Sequence, residues 1–274
     1  ATSNEFTGFA SPLKVPAIGL GGYFGAVSSD PSFSIRLPKI FAGPTLPKSD
    51  QHVPYVVWAT ANFDWNTPTT FGGGLVVKFN RAKALNFYGK FTMESGPAAK
   101  NTFTSDWDDS VGGDTNGTPA PNPGPLRGDW QGLYLYNRFS APFTFSTIKY
   151  SDQGLVIYQK YVAINPYAGD INFEISNNRF EENKNGLTFT IGSNADITSR
   201  VASNTFYSND YGFHTFTNPD VNIPHCGTSD PDLQANNFSA HAQFPIYLQG
   251  SANPAYLGNN FWANTHPAIA VGGI

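Results

Sequence analysis

Between Ser105 and Gly128 the chain gathers Asp106, Asp108, Asp109 and Asp114, followed at once by Thr115-Asn116-Gly117. Oxygen-rich loops of this kind suit a hard cation such as calcium, which takes about six to eight oxygen ligands. Asp108, Asp109, Asp114 and Asn116 are the residues that would supply them. Without a metal, the same segment reads as a solvated turn whose Asp side chains accept hydrogen bonds from nearby backbone N–H groups. Other reactive chemistry is sparse. His214 follows Gly212 on a strand-like run, and His241 stands where neighbouring segments carry Asn183, Asn209 and Asn264. No spacing groups a Ser, a His and an Asp into a nucleophilic set. A single cysteine, Cys226, excludes an internal disulfide, and with His225 and Asp230 it falls far short of a zinc site. Trp107, Trp130 and Trp262 could stack sugars or fill the interior. Sequons at Asn116-Gly117-Thr118 and Asn237-Phe238-Ser239 permit glycosylation.

A repeat supplies the frame that must position these groups. Four stretches carry an apolar residue five places before a Phe that follows an Asn at minus two: Ile175 with Asn178 and Phe180, Val201 with Asn204 and Phe206, Leu233 with Asn236 and Phe238, and Tyr256 with Asn259 and Phe261. A degenerate copy, Phe143 to Ile148, places Ser146 in the Asn slot. Spacings of 32, 26, 32 and 23 residues between anchors fit a solenoid whose coils accept loop insertions. Period-2 runs such as Phe173-x-Ile175 and Leu187-x-Phe189 point one set of side chains inward and the other to water. Strands this short cannot bury that face alone, so each coil must stack on the next. Asn tolerates left-handed backbone, and its amide can bond the Asn one coil away. Asn178, Asn204, Asn236 and Asn259 are therefore expected to form a ladder beside a column of Phe180, Phe206, Phe238 and Phe261.

The order Pro54-Tyr55-Val56-Val57, Gly74 to Phe79, Leu85 to Gly89, Phe103-Thr104-Ser105, Asp108 to Gly117 and Gly128-Asp129-Trp130-Gln131-Gly132-Leu133 resembles the secreted right-handed parallel β-helix proteins of bacteria and archaea, solenoids of the pectate-lyase-like kind. The resemblance spans about residues 54 to 274 and implies an all-β, single-stranded right-handed parallel β-helix, with fold and compartment better specified than activity. In such sequences the Asn-Gly pair often continues with Asp. Thr118 stands there instead and removes one potential calcium ligand. Residues 1–50, rich in Pro, Gly and scattered Phe, are expected to be an irregular extension that caps the helix or reaches a neighbouring molecule, with the β-helix covering 51–274.

Charged residues make up 13% of the 274, against roughly 25% in an average soluble protein, so much of the surface is expected to be covered. A net charge of −4 with no Lys/Arg cluster argues against nucleic acid. No stretch reaches the ~18 apolar residues of a membrane span, and a start at Ala1 suggests a processed, secreted product. A polysaccharide lyase or hydrolase would need acids or bases converging on one groove. The outward positions read as Ser, Thr, Asn and Tyr, and Asp152, Asp170, Asp196 and Asp210 read as out of phase with one another. Nor does Thr read as recurring at one phase, as an ice-binding face would need. The apolar final coil, Ala268 to Ile274, reads as an open edge. The expected function is a non-catalytic extracellular structural protein that self-assembles through its ends into a filament, sheath or surface layer. An adhesin or glycan-binding module is the alternative, a polysaccharide-cleaving enzyme the second. No cofactor is required beyond calcium, if that, and the expected partners are further copies of the chain or cell-surface glycans.

Overall fold

The computed structural model describes residues 54–63, 69–117, 124–136, 142–158, 174–191, 197–217, 231–250, 252, 254, 257–258 and 260–272, and ahead of them the backbone of four two-residue strands. Among these the chain is all-β, and its strands pair only in parallel. The first sheet has ten: Leu13–Lys14, Ile35–Arg36, Tyr55–Val57, Val76–Phe79, Asn101–Ser105, Ser146–Lys149, Arg179–Glu181, Thr205–Tyr207, Asn237–Ser239 and Phe261–Ala263. The second has nine: Ile40–Phe41, Ala61–Phe63, Ala84–Phe87, Gly132–Tyr136, Leu155–Tyr158, Asn185–Ile191, Tyr211–Thr217, Ile246–Gln249 and Ile269–Gly272. Two smaller sheets complete the stack. One is Thr45–Leu46, Thr69–Phe71 and Phe91–Met93; the other is Phe143–Thr144, Glu174–Ser176, Arg200–Ala202 and Asp232–Gln234. Neighbours in every sheet come from successive coils, which makes the molecule a β-solenoid with its core running along the axis. No described helix is long and apolar enough to cross a membrane.

Four short strands ahead of residue 51 belong to these same sheets, Ile35 beside Tyr55 and Phe41 beside Phe63. Stacking thus begins inside the stretch read as an irregular extension.

The corners explain the asparagines. Phe145, Asn177, Ser203 and Ala235 enter the first sheet at φ of 47, 59, 57 and 52°, and Tyr150, Glu182, Ser208 and Ala240 leave it at 63, 54, 53 and 58°. Left-handed backbone costs a residue with a Cβ roughly 1–2 kcal/mol, so something must hold each corner. At all but Ser208 the N–H of the next residue donates to an Asn side chain of the following coil, which pins the corner. At the start of the second-sheet strands the constraint is steric. A Cβ on Gly186 or Gly212 would lie 2.6 or 2.5 Å from the carbonyl oxygen of Gly212 or Pro245 in the following coil.

Inside, Phe180, Phe206 and Phe238 are fully buried and stacked, with ring centres 4.9 and 4.6 Å apart and planes within 7° and 5°. The fourth member differs from the sequence reading. Phe238 pairs with Trp262, not Phe261, and the indole continues the column at 4.9 Å. Ser239 pairs with Ala263, and Asn264 follows directly, so the last coil omits the left-handed residue that Ala240 supplies one coil earlier. Asn259 and Tyr256 lie outside the described residues.

Candidate functional site

Two columns of buried polar side chains flank the first sheet. In the first, Asn204 Oδ1 accepts from the backbone N–H of Asn178 at 3.0 Å and from its amide at 3.1 Å. Its own Nδ2 donates to the Ile175 carbonyl at 2.8 Å and to Asn236 Oδ1 at 3.1 Å. Asn178 serves Ser146 and Phe143 in the same way, and Asn236 is bonded to Asn260, which takes the place expected of Asn259. The second column runs Ser151, Asn183, Asn209, His241 and Asn264. His241 Nδ1 lies 3.2 Å from the Asn209 carbonyl, and its Nε2 is buried with no partner. Burial pushes the His241 imidazole down to about 4, although the Asn209 carbonyl favours its protonation.

One ladder member went unread in the sequence. Asn101 pairs beside Ser146 and accepts from the Leu75 N–H at 2.9 Å. Its motif, Asn101-Thr102-Phe103, is the same Asn-x-Phe used at Asn178, Asn204 and Asn236.

The acidic loop is built around ammonium groups. It folds over the outward face of the first sheet, where Lys78 is fully buried and donates to the Gly113 carbonyl. Burial lowers the Lys78 pKa against the pull of Asp108, Asp109, Asp106 and Asp114. Asp108 accepts from Thr104 at 2.7 Å and from the Ser110 hydroxyl, and pairs with Lys149 at 3.2 Å. Burial alone would raise its pKa, but these donors outweigh it and lower it. Asp114 Oδ1 accepts from the Asn116 and Gly117 N–H groups at 3.1 and 2.8 Å, and the Asn116 amide donates to the Asp106 carbonyl. Asp109 has one oxygen buried without a partner, and burial, then Asp114, raises its pKa. Among the described residues no group of three or more His, Cys, Asp or Glu is placed to hold a metal ion.

Asp106 stands one place beyond the paired Ser105 and Phe79, beside Asn80, whose amide donates to it at 3.1 Å. It therefore holds a corner position that later coils give to Asn183 and Asn209. Its side chain is almost wholly buried with one oxygen unpartnered, and burial pushes it up to about 6 despite the Asn80 bond.

Asp152 and Asp210, read as out of phase, share one phase, because Lys184 N–H bonds Ser151 O and Asp210 N–H bonds Asn183 O in the same register. Neither is free for chemistry. Lys184 pairs with Asp152 at 2.8 Å, and Arg127 grips Asp210 at 2.6 Å and Glu182 at 3.0 Å, tying two coils together. Asp170, Asp196 and Cys226 lie outside the described residues. His214 sits on the outward row beside Tyr247, with ring centres 5.1 Å apart. Trp130 is buried, stacked on Phe79 at 3.9 Å with its Nε1 donating to the Lys149 carbonyl. Arg81 covers the ring of Trp107.

The last rung is where burial fails. Ile246, Leu248 and Phe238 are 0, 7 and 0% exposed, whereas their inward-facing partners one coil later, Ile269, Val271 and Trp262, are 37, 78 and 40% exposed. These side chains continue the core columns and have no coil above them among the described residues. Comparison of the chain with known protein families, curated proteins and solved structures finds no match.

Proposed function

We propose that the chain is a non-catalytic extracellular structural protein, a right-handed parallel β-helix akin to secreted surface proteins, that assembles end to end into a filament, sheath or surface layer. The observation that carries this reading is the exposure of core-column side chains at the last described rung. Burying a side chain of the size of Val or Ile contributes roughly 1.5–3 kcal/mol, and the strand edge beside Val271 offers backbone donors and acceptors to a further parallel strand. In this reading the occupant is the first rung of a second copy, added in the same sense as the internal coils. Such a contact is heterologous and propagates unless it closes into a ring. In the same reading Lys78 and Lys149 take the role of calcium in the acidic loop.

Electron microscopy of the purified chain should show rods of stacked molecules, and Val271→Asp should leave dispersed monomers that melt at the temperature of the unaltered chain diluted to its monomeric state, since the side chain is mostly exposed there. Monomers at every concentration of the unaltered chain would reject the assembly. Millimolar calcium should leave the melting temperature unmoved; an upward shift of several degrees would show that the loop binds it after all.

A further inference from the structure

A groove of about 350 Å³ opens over the corner that feeds the first sheet, lined among others by Lys100, Thr147, Asn177, Arg179, Ser203 and Thr205. Among the described residues no carboxylate lines it. Arg179 is held in place: its Nε donates to Glu181 at 2.6 Å and its guanidinium lies 5.2 Å from the ring centre of Tyr207. Its two terminal nitrogens make no hydrogen bond among the described residues, and Lys100, two coils earlier at the entry to the same sheet, makes no ion pair there. The floor is a row that the sequence reading missed. Thr102, Thr147 and Thr205 do share one outward phase, interrupted by Arg179 between the last two. From Thr147 to Thr205 the row spans two rung spacings, about 10 Å, longer than one inorganic anion.

From this arrangement we propose that the groove binds a tetrahedral oxyanion, phosphate or sulfate, esterified to a polyhydroxyl chain. Two cations two coils apart, with Thr147 on the coil between them, offer several donors along the groove, which suits four tetrahedral oxygens. A planar carboxylate would be satisfied by the Arg179 fork alone. Ser203, Thr205 and Asn177 both donate and accept hydrogen bonds, as hydroxyl groups of the carrier require. The ligand class is independent of the assembly at the chain end, and its test does not need polymers.

Calorimetric titration at low salt with glycerol phosphate, glucose sulfate, galacturonate and inorganic phosphate tests this. At least one of the two esters should bind more tightly than inorganic phosphate and galacturonate, and the tighter ester identifies the oxyanion. Lys100→Ala and Arg179→Ala should each weaken that ester about tenfold, the scale of one charge-assisted bond. Lys184→Ala, a lysine paired with Asp152 on another corner, should not. Lys100 is exposed just ahead of the Asn101–Ser105 strand, so its removal reports on binding even if Arg179→Ala misfolds. Absence of heat with both esters, galacturonate or inorganic phosphate binding as tightly as the better ester, or an equal loss in Lys184→Ala would overturn the proposal.

Discussion

Asn204→Ala should lower unfolding stability by about 4 kcal/mol, because the deleted amide leaves the Asn178 N–H and the Ile175 carbonyl buried without partners at roughly 1–3 kcal/mol each, and strips one bond each from the Asn178 and Asn236 side chains. The left-handed corner at Asn177 would thereby lose the side chain that brackets it. In a chain of this length the loss corresponds to a melting point about 10 °C lower. Asn237→Ala, an exposed residue on the adjoining strand, should change stability by no more than about 0.5 kcal/mol. Chemical denaturation of the two variants checks the contrast. Equal, small losses would mean that the amide column is not what fixes the corners.

Between pH 4 and 6.5 the unaltered protein should show a nearly flat stability profile that two substitutions split into opposite slopes. The imidazole of His241 titrates at about 4 when folded and near 6.5 when unfolded. In that window the unfolded chain takes up a proton that the folded chain refuses. The stability that neutral His241 provides is complete above 6.5 and is lost as pH falls toward 4, by about 3 kcal/mol. Asp106 works the other way. It titrates at about 6 when folded and at 3.8 when unfolded. The folded chain keeps a proton that the unfolded chain releases, so stability is complete below 3.8 and about 3 kcal/mol is lost as pH rises through 6. Asp109, also raised, adds in the same sense. His241→Asn should therefore leave a profile that falls with rising pH, and Asp106→Asn one that rises. Asp106→Asn should also be the more stable protein at pH 7, because an amide beside Asn80 reproduces the pairing of Asn183 with Asn209. Denaturation midpoints across this range measure both, and parallel profiles for the two variants would refute the assignment.

Much of the column was legible because a parallel stack must repeat its inward residue at a fixed phase, and Asn-x-Phe is distinctive enough to reveal that phase at Phe180, Phe206 and Phe238. The last coil misled because Asn259-Asn260-Phe261-Trp262 satisfies the pattern in two registers. Spacing to Asn264 favours the first, whereas strand pairing of Ala263 with Ser239 selects the second. Asn101 was missed because its coil precedes the regular repeats and leads into a long loop. The acidic loop could not be resolved from composition alone. The lysine at its centre comes from a strand 28 residues before Asp106, and only the stacking of Val76–Phe79 beneath Asn101–Ser105 brings the two together. Groups joined by coil stacking alone, such as Lys100 with Arg179 or Arg127 with Asp210, have no signature in linear order.

The crowding at Gly186 and Gly212 bears on how such a chain could have grown. A duplicated coil inserted beneath either position must bring its own glycine, since any methyl group there collides with the carbonyl of its new neighbour. Above Gly212 the same row carries Pro245 and then Ala268, so added coils are tolerated there without that demand. Lengthening by gene duplication would meet least resistance toward the C-terminal coils, and repeat number among relatives should vary there first.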